Sequence, residues 1–445
     1  MALAATRFML KKGEVALSWD SISAPVPEGA DFHAWNLEDG AALAEVVESF
    51  EPQLVLCLAE TGDGVPLLEN AREYCEEFER CYYASVRCVK ATISHLCAQG
   101  RGTLIFGSLA EGLACGGDLS PAAALDWALA ALGESLSAEL KGSAVKVQVL
   151  RGNGSSEKDL FRGITEALKS DSVDIYPQLQ GRLQHMSRRL APALISSIVK
   201  GPFEDASFDT VLVTGASSGL GQRLARKYAT RTRRLCITAR RAELLDALKV
   251  EIESTTDCVV ESISADLTRR EDIDVLVDRV GEVDAIINCA GRHLISSVKE
   301  TELETYRDFF ALNFLGPAYL IGRMAKASTR LNKVVTILST SAIRGRRQRS
   351  TYAGTKAALW ALTRGLRIHT EGRMQVLEVL PSTFGPDPSY SGNRRKGRTP
   401  STDEVCEIVF SAERKGRSYA YAPAEVRLFL SLAAFSPKLF ARVFR

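Results

Sequence analysis

The chain has 445 residues, of which 46% are hydrophobic and 25% are charged. This balance is typical of a globular protein with two or three domains, and it excludes disordered, collagen-like and disulfide-scaffold proteins. The net charge of +2 hides an asymmetry, because residues 1–200 carry −8 and residues 201–445 carry +10. Opposite charges of this size indicate two units that bind different partners or attract each other.

Cysteine usage and the terminal segments predict a cytoplasmic protein. The ten cysteines are scattered and none forms a C-x-x-C pair, which favours reduced, mostly buried thiols and no metal site. The first residues, MALAATRFMLKKGE, lack the apolar segment of a signal peptide. No run reaches the roughly 18 uninterrupted apolar residues that a membrane-spanning helix needs.

Strands and helices alternate in the first part of the chain. The predicted strands and helices lie at 55–59, 70–97, 102–107 and 121–140. A stretch with the composition of a linker, VKGPFEDAS, follows at residues 199–207. We therefore predict two domains, at residues 1–200 and 206–445.

The same alternation continues over a longer stretch of the second domain. Six short apolar runs are predicted strands, at 210–213, 235–238, 259–265, 285–287, 333–338 and 375–380. Helical patterns separate them, at 222–230, 242–254, 270–280, 302–328 and 352–371. This order predicts an α/β fold with a doubly wound parallel sheet of the Rossmann type.

The two domains are related by an internal repeat. A shift of 231 positions aligns residues 55–59 with residues 286–290. A shift of 230 positions aligns Asn36 with Asp266. Only 35 residues precede Asn36, which is too few for the first strand, the loop after it and the first helix of the intact copy. The first domain is therefore predicted to be a truncated copy of the second.

A glycine-rich loop follows the first strand of the second domain. The run T-G-A-S-S-G-L-G at Thr214–Gly221 lies between a strand and a helix, where backbone N–H groups can hold a pyrophosphate. The alternative is an ordinary tight turn. The expected cofactor contacts in this loop are Gly215, Ser217, Ser218, Gly219, Leu220 and Gly221.

The end of the next strand indicates which dinucleotide is bound. An acid there would bond the ribose 2′-hydroxyl of NAD, but this chain has Arg240 and Arg241 instead. Guanidinium groups suit a 2′-phosphate, so the sequence favours NADPH and the reductive direction. The alternative is that both arginines only start a solvated helix.

Four polar residues form a predicted catalytic group: Asn313, Ser339, Tyr352 and Lys356. Tyr352 and Lys356 are four residues apart and share one helix face, so the lysine charge can lower the tyrosine pKa. Tyr352 could then exchange a proton with a carbonyl or alcohol oxygen near neutral pH. Ser339, at the end of a strand, could hold that oxygen, and Asn313 could anchor a water that relays protons.

These motifs together make residues 206–400 resemble the classical short-chain dehydrogenase/reductase family. The resemblance rests on the glycine loop, on N-C-A-G at Asn288–Gly291 and on Y-A-G-T-K at Tyr352–Lys356. It implies that the domain binds NAD(P)(H) and moves a hydride between nicotinamide and a carbonyl or alcohol. The further cofactor contacts expected from the resemblance are Asp266, Leu267, Asn288, Ala290, Gly291, Tyr352, Lys356, Pro381 and Thr383.

The sequence departs from the family pattern at three places. Cys289 replaces the usual second asparagine of the Asn-Asn-Ala-Gly motif. Pro381-Ser382-Thr383 replaces the usual Pro-Gly after the sixth strand, which puts the contact with the nicotinamide in question. The usual C-terminal strand of the family is not evident in the sequence.

The first domain lacks the catalytic group. The 231-residue shift places Tyr82, Ser108, Pro121 and Leu125 where the second domain has Asn313, Ser339, Tyr352 and Lys356. An inactive truncated copy beside an active one resembles the layout of high-molecular-weight ketoacyl reductases and polyketide-synthase ketoreductases.

We expect the inactive copy to act as an intrachain dimer partner, because family members dimerise through the helices that carry Asn and Tyr-Lys. The helices near 70–97 and 121–140 would pack on those at 302–328 and 352–371. The chain could also form a homo-oligomer.

Two basic clusters flank the expected site, and their members are Arg344, Arg346, Arg347 and Arg349, then Arg394, Arg395, Lys396 and Arg398. Such clusters can serve solubility alone, but two around one cleft favour an anionic substrate or carrier. A phosphopantetheine thioester, an acidic carrier protein and a sugar phosphate all satisfy this charge. No recognition-helix pattern accompanies it, so nucleic-acid binding is not expected.

The C-terminal segment Val426–Phe444 is an amphipathic helix pattern interrupted at Pro437. Packing against the rest of the chain is the favoured interpretation, and contact with a membrane surface is the alternative.

The sequence thus predicts an enzyme that uses NADPH to reduce a ketone to an alcohol. The expected substrate is a β-ketoacyl thioester carried on coenzyme A or an acyl carrier protein. The alternatives are an alcohol or sugar-phosphate dehydrogenase that uses the same residues, and a non-catalytic NADP(H)-binding scaffold or sensor.

Overall fold

Two parallel β-sheets and the helices between them make up the described part of the chain. The computed structural model describes residues 54–59, 65–108, 119–151, 157–175, 208–343, 345–370, 373–382 and 400–423. Residues 1–53, the proposed linker at 199–207 and the C-terminal segment 426–444 lie outside these ranges. The truncation of the first domain and the placement of the C-terminal segment therefore stay predictions.

The first domain contributes a sheet of four strands. Its strands are β1 (Leu54–Ala59), β2 (Gly102–Ser108), β3 (Val145–Leu150) and β4 (Asp174–Ile175). The helices between them are α1 (Ala71–Gln99), α2 (Pro121–Glu139) and α3 (Glu157–Lys169). All strands are parallel and lie side by side in chain order. A sheet that grows in one direction only is one half of a doubly wound fold.

The second domain contributes a sheet of seven parallel strands. These are β5 (Phe208–Thr214), β6 (Thr232–Ala239), β7 (Val259–Ser264), β8 (Ala285–Asn288), β9 (Lys333–Ile337), β10 (Gln375–Pro381) and β11 (Tyr419–Ala422). The strand order is β11-β10-β9-β8-β5-β6-β7, which confirms the doubly wound α/β fold predicted from the sequence. The order reverses between β5 and β8, and ligands bind α/β sheets at this kind of switch point.

Helices cover both faces of the larger sheet, as its buried apolar strands require. They are α4 (Gly219–Ala229), α5 (Ala242–Thr255), α6 (Arg270–Val280), α7 (Leu303–Phe310), α8 (Gly316–Ala327), α9 (Ser350–His369) and α10 (Thr402–Arg414). A π-helical segment, Ala311–Leu315, joins α7 to α8, so the helix predicted at 302–328 is locally widened. Such segments frequently occur at functional sites.

The C-terminal strand that is not evident in the sequence is present as β11. It pairs in parallel with β10, and Tyr419 lies opposite Glu378. The strand is hard to recognise in the sequence because β11 has only four residues, YAYA, which is too short for a clear two-residue periodicity. Helix α10, which leads into β11, begins with a capping box between Ser401 and Glu404.

The register of the two sheets follows the internal repeat. In the smaller sheet Gly102 lies opposite Val145, and in the larger sheet Lys333 lies opposite Gln375. These pairs are related by shifts of 231 and 230 residues, the two shifts found in the sequence. The smaller sheet therefore matches the β8–β11 half of the larger one.

The two domains pack through helices. Helix α2 lies along α9, while α1 contacts α7 and α8, which are the helix pairs named in the sequence analysis. One continuous apolar core includes residues of both domains. The ring of Trp127 meets the edge of Trp360 with centroids 5.0 Å apart, and Phe78 lies 4.6 Å from Phe314 by the same measure.

Small residues let these helices approach closely. A Cβ atom on Gly322 of α8 would lie 2.6 Å from the Cβ of Ala71, and one on Gly354 of α9 would lie 3.1 Å from the Tyr82 hydroxyl. Ion pairs continue the contact outside the core, where Arg270 binds Glu76 and Glu79 of α1 at 2.8 and 2.9 Å. The interface thus has a packed apolar centre and a charged edge.

Candidate functional site

The glycine loop lies at the switch point of the larger sheet. Gly215 has φ +70 and Gly219 has φ +59, conformations that side-chain-bearing residues rarely adopt. A Cβ on Gly215 would lie 2.8 Å from the Cα of Ala290, and one on Gly221 would lie 2.3 Å from the Gly215 carbonyl oxygen. Glycine is therefore required for the close packing of this loop.

The N-terminus of α4 opens directly into the cleft. Ser218 precedes the helix in an extended conformation, and its side chain makes no capping bond to the helix. The first N–H groups of a helix lack intrahelical partners and carry partial positive charge. These groups can hold the pyrophosphate of a dinucleotide, as the sequence predicts.

Thr214 connects the glycine loop to the loop after β8. Its hydroxyl oxygen accepts hydrogen bonds from the backbone N–H groups of Cys289 and Ala290, at 3.1 and 3.2 Å. The two loops therefore form one wall of the cleft. Burial raises the pKa of the Cys289 thiol to about 12, so this residue stays a neutral thiol.

Both arginines of the cofactor prediction lie beside the glycine loop. Arg240 is exposed at the end of β6, and Arg241 donates hydrogen bonds to the hydroxyl oxygens of Ser217 and Ser218, both at 2.9 Å. Asp266, after β7, accepts bonds from its own loop at Thr268. Both arginines therefore line the cleft together with the glycine loop.

Ser339, Tyr352 and Lys356 converge on the other side of the same cleft. Ser339 follows β9 and its hydroxyl oxygen accepts a hydrogen bond from the Ser341 N–H at 3.1 Å, which leaves its own proton available to a ligand. Burial lowers the pKa of Lys356 to about 8. Tyr352 contacts His293, with ring centroids 4.7 Å apart and nearly perpendicular planes.

Asn313 occupies the π-helical segment and is fully buried. Its amide bonds the backbone of Arg292 twice, accepting from the N–H at 2.8 Å and donating to the carbonyl at 2.9 Å, and it also donates to the Thr355 hydroxyl at 3.2 Å. Asn313 does not line the cleft. Its side-chain amide therefore holds the loop at Arg292, and its role as a water anchor stays a prediction.

Two predicted cofactor contacts do not line the cleft, and a third lies outside the described residues. Asn288, the last residue of β8, is buried and is not among the residues that line the cleft. Pro381 is buried at the end of β10, and the neighbouring Ser382 lines the cleft instead. Thr383 lies outside the described residues.

All other predicted site residues line one cleft of about 810 Å³. They are Gly215, Ser217, Ser218, Gly219, Leu220, Gly221, Arg240, Arg241, Asp266, Leu267, Ala290, Gly291, Ser339, Tyr352 and Lys356. The sequence analysis did not assign several further lining residues: Ala239, Ala265, Cys289, Arg292, His293, Leu312, Ile337, Leu338, Thr340, Ser341 and Ser382. Most of them are adjacent in sequence to a family motif, and this adjacency could have indicated that they line the cleft.

The basic cluster between Ser339 and Tyr352 is only partly in the cleft. Arg346 and Arg349 line it, and Arg349 bonds the His293 ring nitrogen at 2.5 Å. Arg347 is exposed and does not line the cleft, and Arg344 lies outside the described residues. The second predicted cluster, at residues 394–398, also lies outside them.

Three residues of the first domain that align with the catalytic group are buried. Leu125, at the position of Lys356, is fully buried in the common core, and Pro121 begins helix α2. Tyr82 is fully buried against Phe310, with ring centroids 4.2 Å apart. Pro121 and Leu125 carry no group that could transfer a proton, and the ring of Tyr82 is packed against the second domain.

Comparison with known proteins identifies the class of the second domain. Residues 209–391 match the family model of the short chain dehydrogenases. An uncharacterized oxidoreductase of Staphylococcus saprophyticus is 28% identical over 161 residues, which is 35% of this chain and 69% of that protein. The 11-beta-hydroxysteroid dehydrogenase-like 2 protein of Arabidopsis thaliana is 25% identical over 260 residues. The match covers 55% of this chain and 83% of that protein.

One solved structure resembles most of the chain. An N-terminal ketoreductase from a macrolactin assembly line superposes with a TM-score of 0.63 at 15% identity, covering 87% of this chain and 77% of that one. The fold that the two proteins share therefore extends beyond residues 209–391 of this chain.

The second domain thus matches the short-chain dehydrogenase/reductase family over residues 209–391, and the protein is an oxidoreductase that uses a nicotinamide cofactor. Among the described residues, no group of His, Cys, Asp and Glu side chains could hold a metal ion. Within the same residues, every helix is too short or too polar to cross a membrane.

Proposed function

We propose that this protein uses NADPH to reduce a ketone to an alcohol, with a β-ketoacyl thioester as the substrate. The observation that carries the proposal is the composition of the cleft. Tyr352 and Lys356 line it together with five arginines, whereas Asp266 is the one acidic side chain among its described lining residues. The cleft thus joins a proton-transfer pair to a strongly positive surface.

The choice of NADPH rests on the end of strand β6. Arg240 and Arg241 lie beside the glycine loop, and Arg241 is held there by Ser217 and Ser218. No carboxylate occupies the tip of this strand, where one would bond the 2′-hydroxyl of NAD. A 2′-phosphate placed there would gain charge-assisted hydrogen bonds from the arginines.

The residues of the chain would divide the reaction as follows. The bound nicotinamide would supply the hydride. Ser339 would donate a hydrogen bond to the ketone oxygen, and Tyr352 would give that oxygen its proton. A protonated Lys356 favours the ionised form of Tyr352 and so assists this transfer. Asn313 would hold the wall of the cleft at Arg292.

The substrate class rests on the arginines of the opposite wall. Arg292, Arg346 and Arg349 line the part of the cleft near His293 and Tyr352. A thioester of coenzyme A or of an acyl carrier protein brings phosphate groups to the enzyme, and such groups match this positive surface. A neutral ketone of the same size would gain nothing from these charges.

Fluorescence titration with NADPH and NADH tests the cofactor assignment. We expect tight NADPH binding that Arg240→Ala weakens selectively, since the variant removes a cation beside the 2′-phosphate. Arg233→Ala is the matched control, because Arg233 lies on the same strand but is exposed away from the cleft. No binding of either nucleotide would contradict the proposal.

Turnover with acetoacetyl-coenzyme A and with neutral ethyl acetoacetate tests the reaction. Tyr352→Phe should lower kcat by about 10²- to 10⁴-fold in a protein that still binds NADPH, because the variant loses the proton donor and keeps the ring. Tyr319→Phe is the control, since that hydroxyl bonds Asp274 outside the cleft. Equal kcat/KM for both ketones would refute the anionic substrate.

A further inference from the structure

Two loops form the substrate wall of the cleft, and both are bonded to the inactive domain. The first loop, residues 345–349, lies between Ser339 and Tyr352 and carries Arg346 and Arg349. The second, residues 292–298, carries His293, which meets the ring of Tyr352. The Ser296 N–H donates to the Gln348 carbonyl at 2.9 Å, so the two loops are also bonded to each other.

Glu139, at the end of α2, bonds both loops at once. One of its carboxylate oxygens accepts from the Gln348 N–H at 3.1 Å, and the other accepts from the Val298 N–H at 2.9 Å. A carboxylate has two acceptor oxygens and no donor, so it can bind two backbone N–H groups in this way. Replacing it with an amide would leave one of the two N–H groups facing another donor.

Glu134, one and a half turns earlier on α2, holds the other end of the first loop. One oxygen accepts from the Gly345 N–H at 2.6 Å, and the other binds Arg151, a buried residue after β3, at 3.1 Å. The loop also lies directly on the helix, because a Cβ on Gly345 would be 2.4 Å from the Ala131 carbonyl oxygen. Arg151 thus holds the Glu134 carboxylate in the position from which it bonds the first loop.

We infer that the inactive domain positions the substrate wall of the active cleft, with Glu134 and Glu139 as positioning residues for the reduction. Charge-assisted hydrogen bonds to backbone N–H groups are stronger than neutral ones, and the loops carry side chains that face the substrate. The inactive copy therefore acts on specificity as well as on stability. The inference rests on the proposed reduction for its kinetic test but not for its structural one.

Hydrogen exchange of backbone amides tests the structural part without any assay of activity. In Glu139→Gln and Glu134→Gln we expect the amides of residues 345–349 to exchange at least about fivefold faster than in the wild type, because opening of the loop becomes easier. Glu139→Gln should have the same effect on residues 296–298. Unchanged exchange at both loops would overturn the inference.

Glu76→Gln is the matched control. Glu76 also bonds the other domain, through Arg270, but neither residue lines the cleft. This variant should leave exchange in both loops unchanged, which separates loop positioning from general loosening of the domains. Equal acceleration in Glu76→Gln and Glu139→Gln would refute a specific role for Glu139.

Steady-state kinetics with acetoacetyl-coenzyme A supply the functional readout. We expect Glu139→Gln to raise KM by about fivefold or more, with kcat within about twofold and NADPH binding unchanged, because the loops contact substrate and not the dinucleotide. Glu139→Ala should give a larger effect in the same direction. If the wild type reduces no ketone, the proposed function fails while the exchange result still decides the role of the loops. If it reduces the ketone and KM does not change, the positioning role fails.

Discussion

Lys356 donates a hydrogen bond from its buried ammonium group to the main-chain carbonyl of Ile337, 2.9 Å away. This bond connects the helix that carries Tyr352 to the end of the strand that leads into Ser339. It also shows how a charged group is kept in an environment whose desolvation lowers its pKa to about 8. The lowered pKa affects both the activity and the stability of the protein.

Reduction should decline at alkaline pH. Lys356 assists Tyr352 only while it is protonated, and with a pKa of about 8 it loses its proton in a range where an ordinary lysine keeps it. We expect kcat/KM for acetoacetyl-coenzyme A to fall above pH 8. NADPH binding measured at the same pH values serves as the control for an intact cleft. A profile that stays flat to pH 10 would show that the charge of Lys356 is not needed.

The stability of the protein should change with pH in the opposite direction to activity, because of the same residue. Between pH 8 and 10.5 the unfolded chain keeps the Lys356 proton that the folded chain has lost. Since the unfolded state binds more protons, the free energy of unfolding rises with pH over this window. Lys356→Met should remove about 2–4 kcal/mol of that rise. Denaturant unfolding of both proteins at pH 7 and 10 measures it, and parallel changes in the two would contradict the prediction.

Close packing of the glycine loop makes Gly215 sensitive to a single methyl group. Gly215→Ala combines a positive φ with a Cβ only 2.8 Å from the Ala290 Cα, so backbone must move. We expect loss of NADPH binding by at least about tenfold and destabilisation of about 2–4 kcal/mol. Gly281→Ala is the control, because Gly281 also has a positive φ but nothing lies within 4 Å of the added atom. Titration and thermal unfolding of both variants make the comparison.

The sequence predicts most of the fold of the second domain, because its strands and helices have recognisable local sequence patterns. The strands of the larger sheet are short apolar runs, and the positions of Gly215, Ser339 and Tyr352 follow from motifs at their ends. Asn288 follows from a motif in the same way, but its side chain is buried on β8 and does not line the cleft.

The contacts between the domains are harder to derive. Glu134 and Glu139 are ordinary helix residues in the sequence, and their partners are backbone N–H groups more than 150 positions away. A hydrogen bond to a backbone group places no requirement on the residue type of its partner, so the sequence contains no sign of it. The internal repeat indicated which helices of the two domains are equivalent. Only the three-dimensional packing shows which groups their side chains bond.

The shared core predicts that the two domains unfold together. Phe78 of the first domain is fully buried and contacts Phe310 and Phe314 of the second, with ring centroids 5.7 and 4.6 Å away. Phe78→Ala should lower stability by about 3–5 kcal/mol and keep one calorimetric transition, because the cavity opens in a core that both domains share. Phe106→Ala, within the first domain, should shift the same transition, since Phe106 packs beside Gly133 inside that domain. Two separate transitions, with the second unmoved by either variant, would show that the domains are stabilised independently.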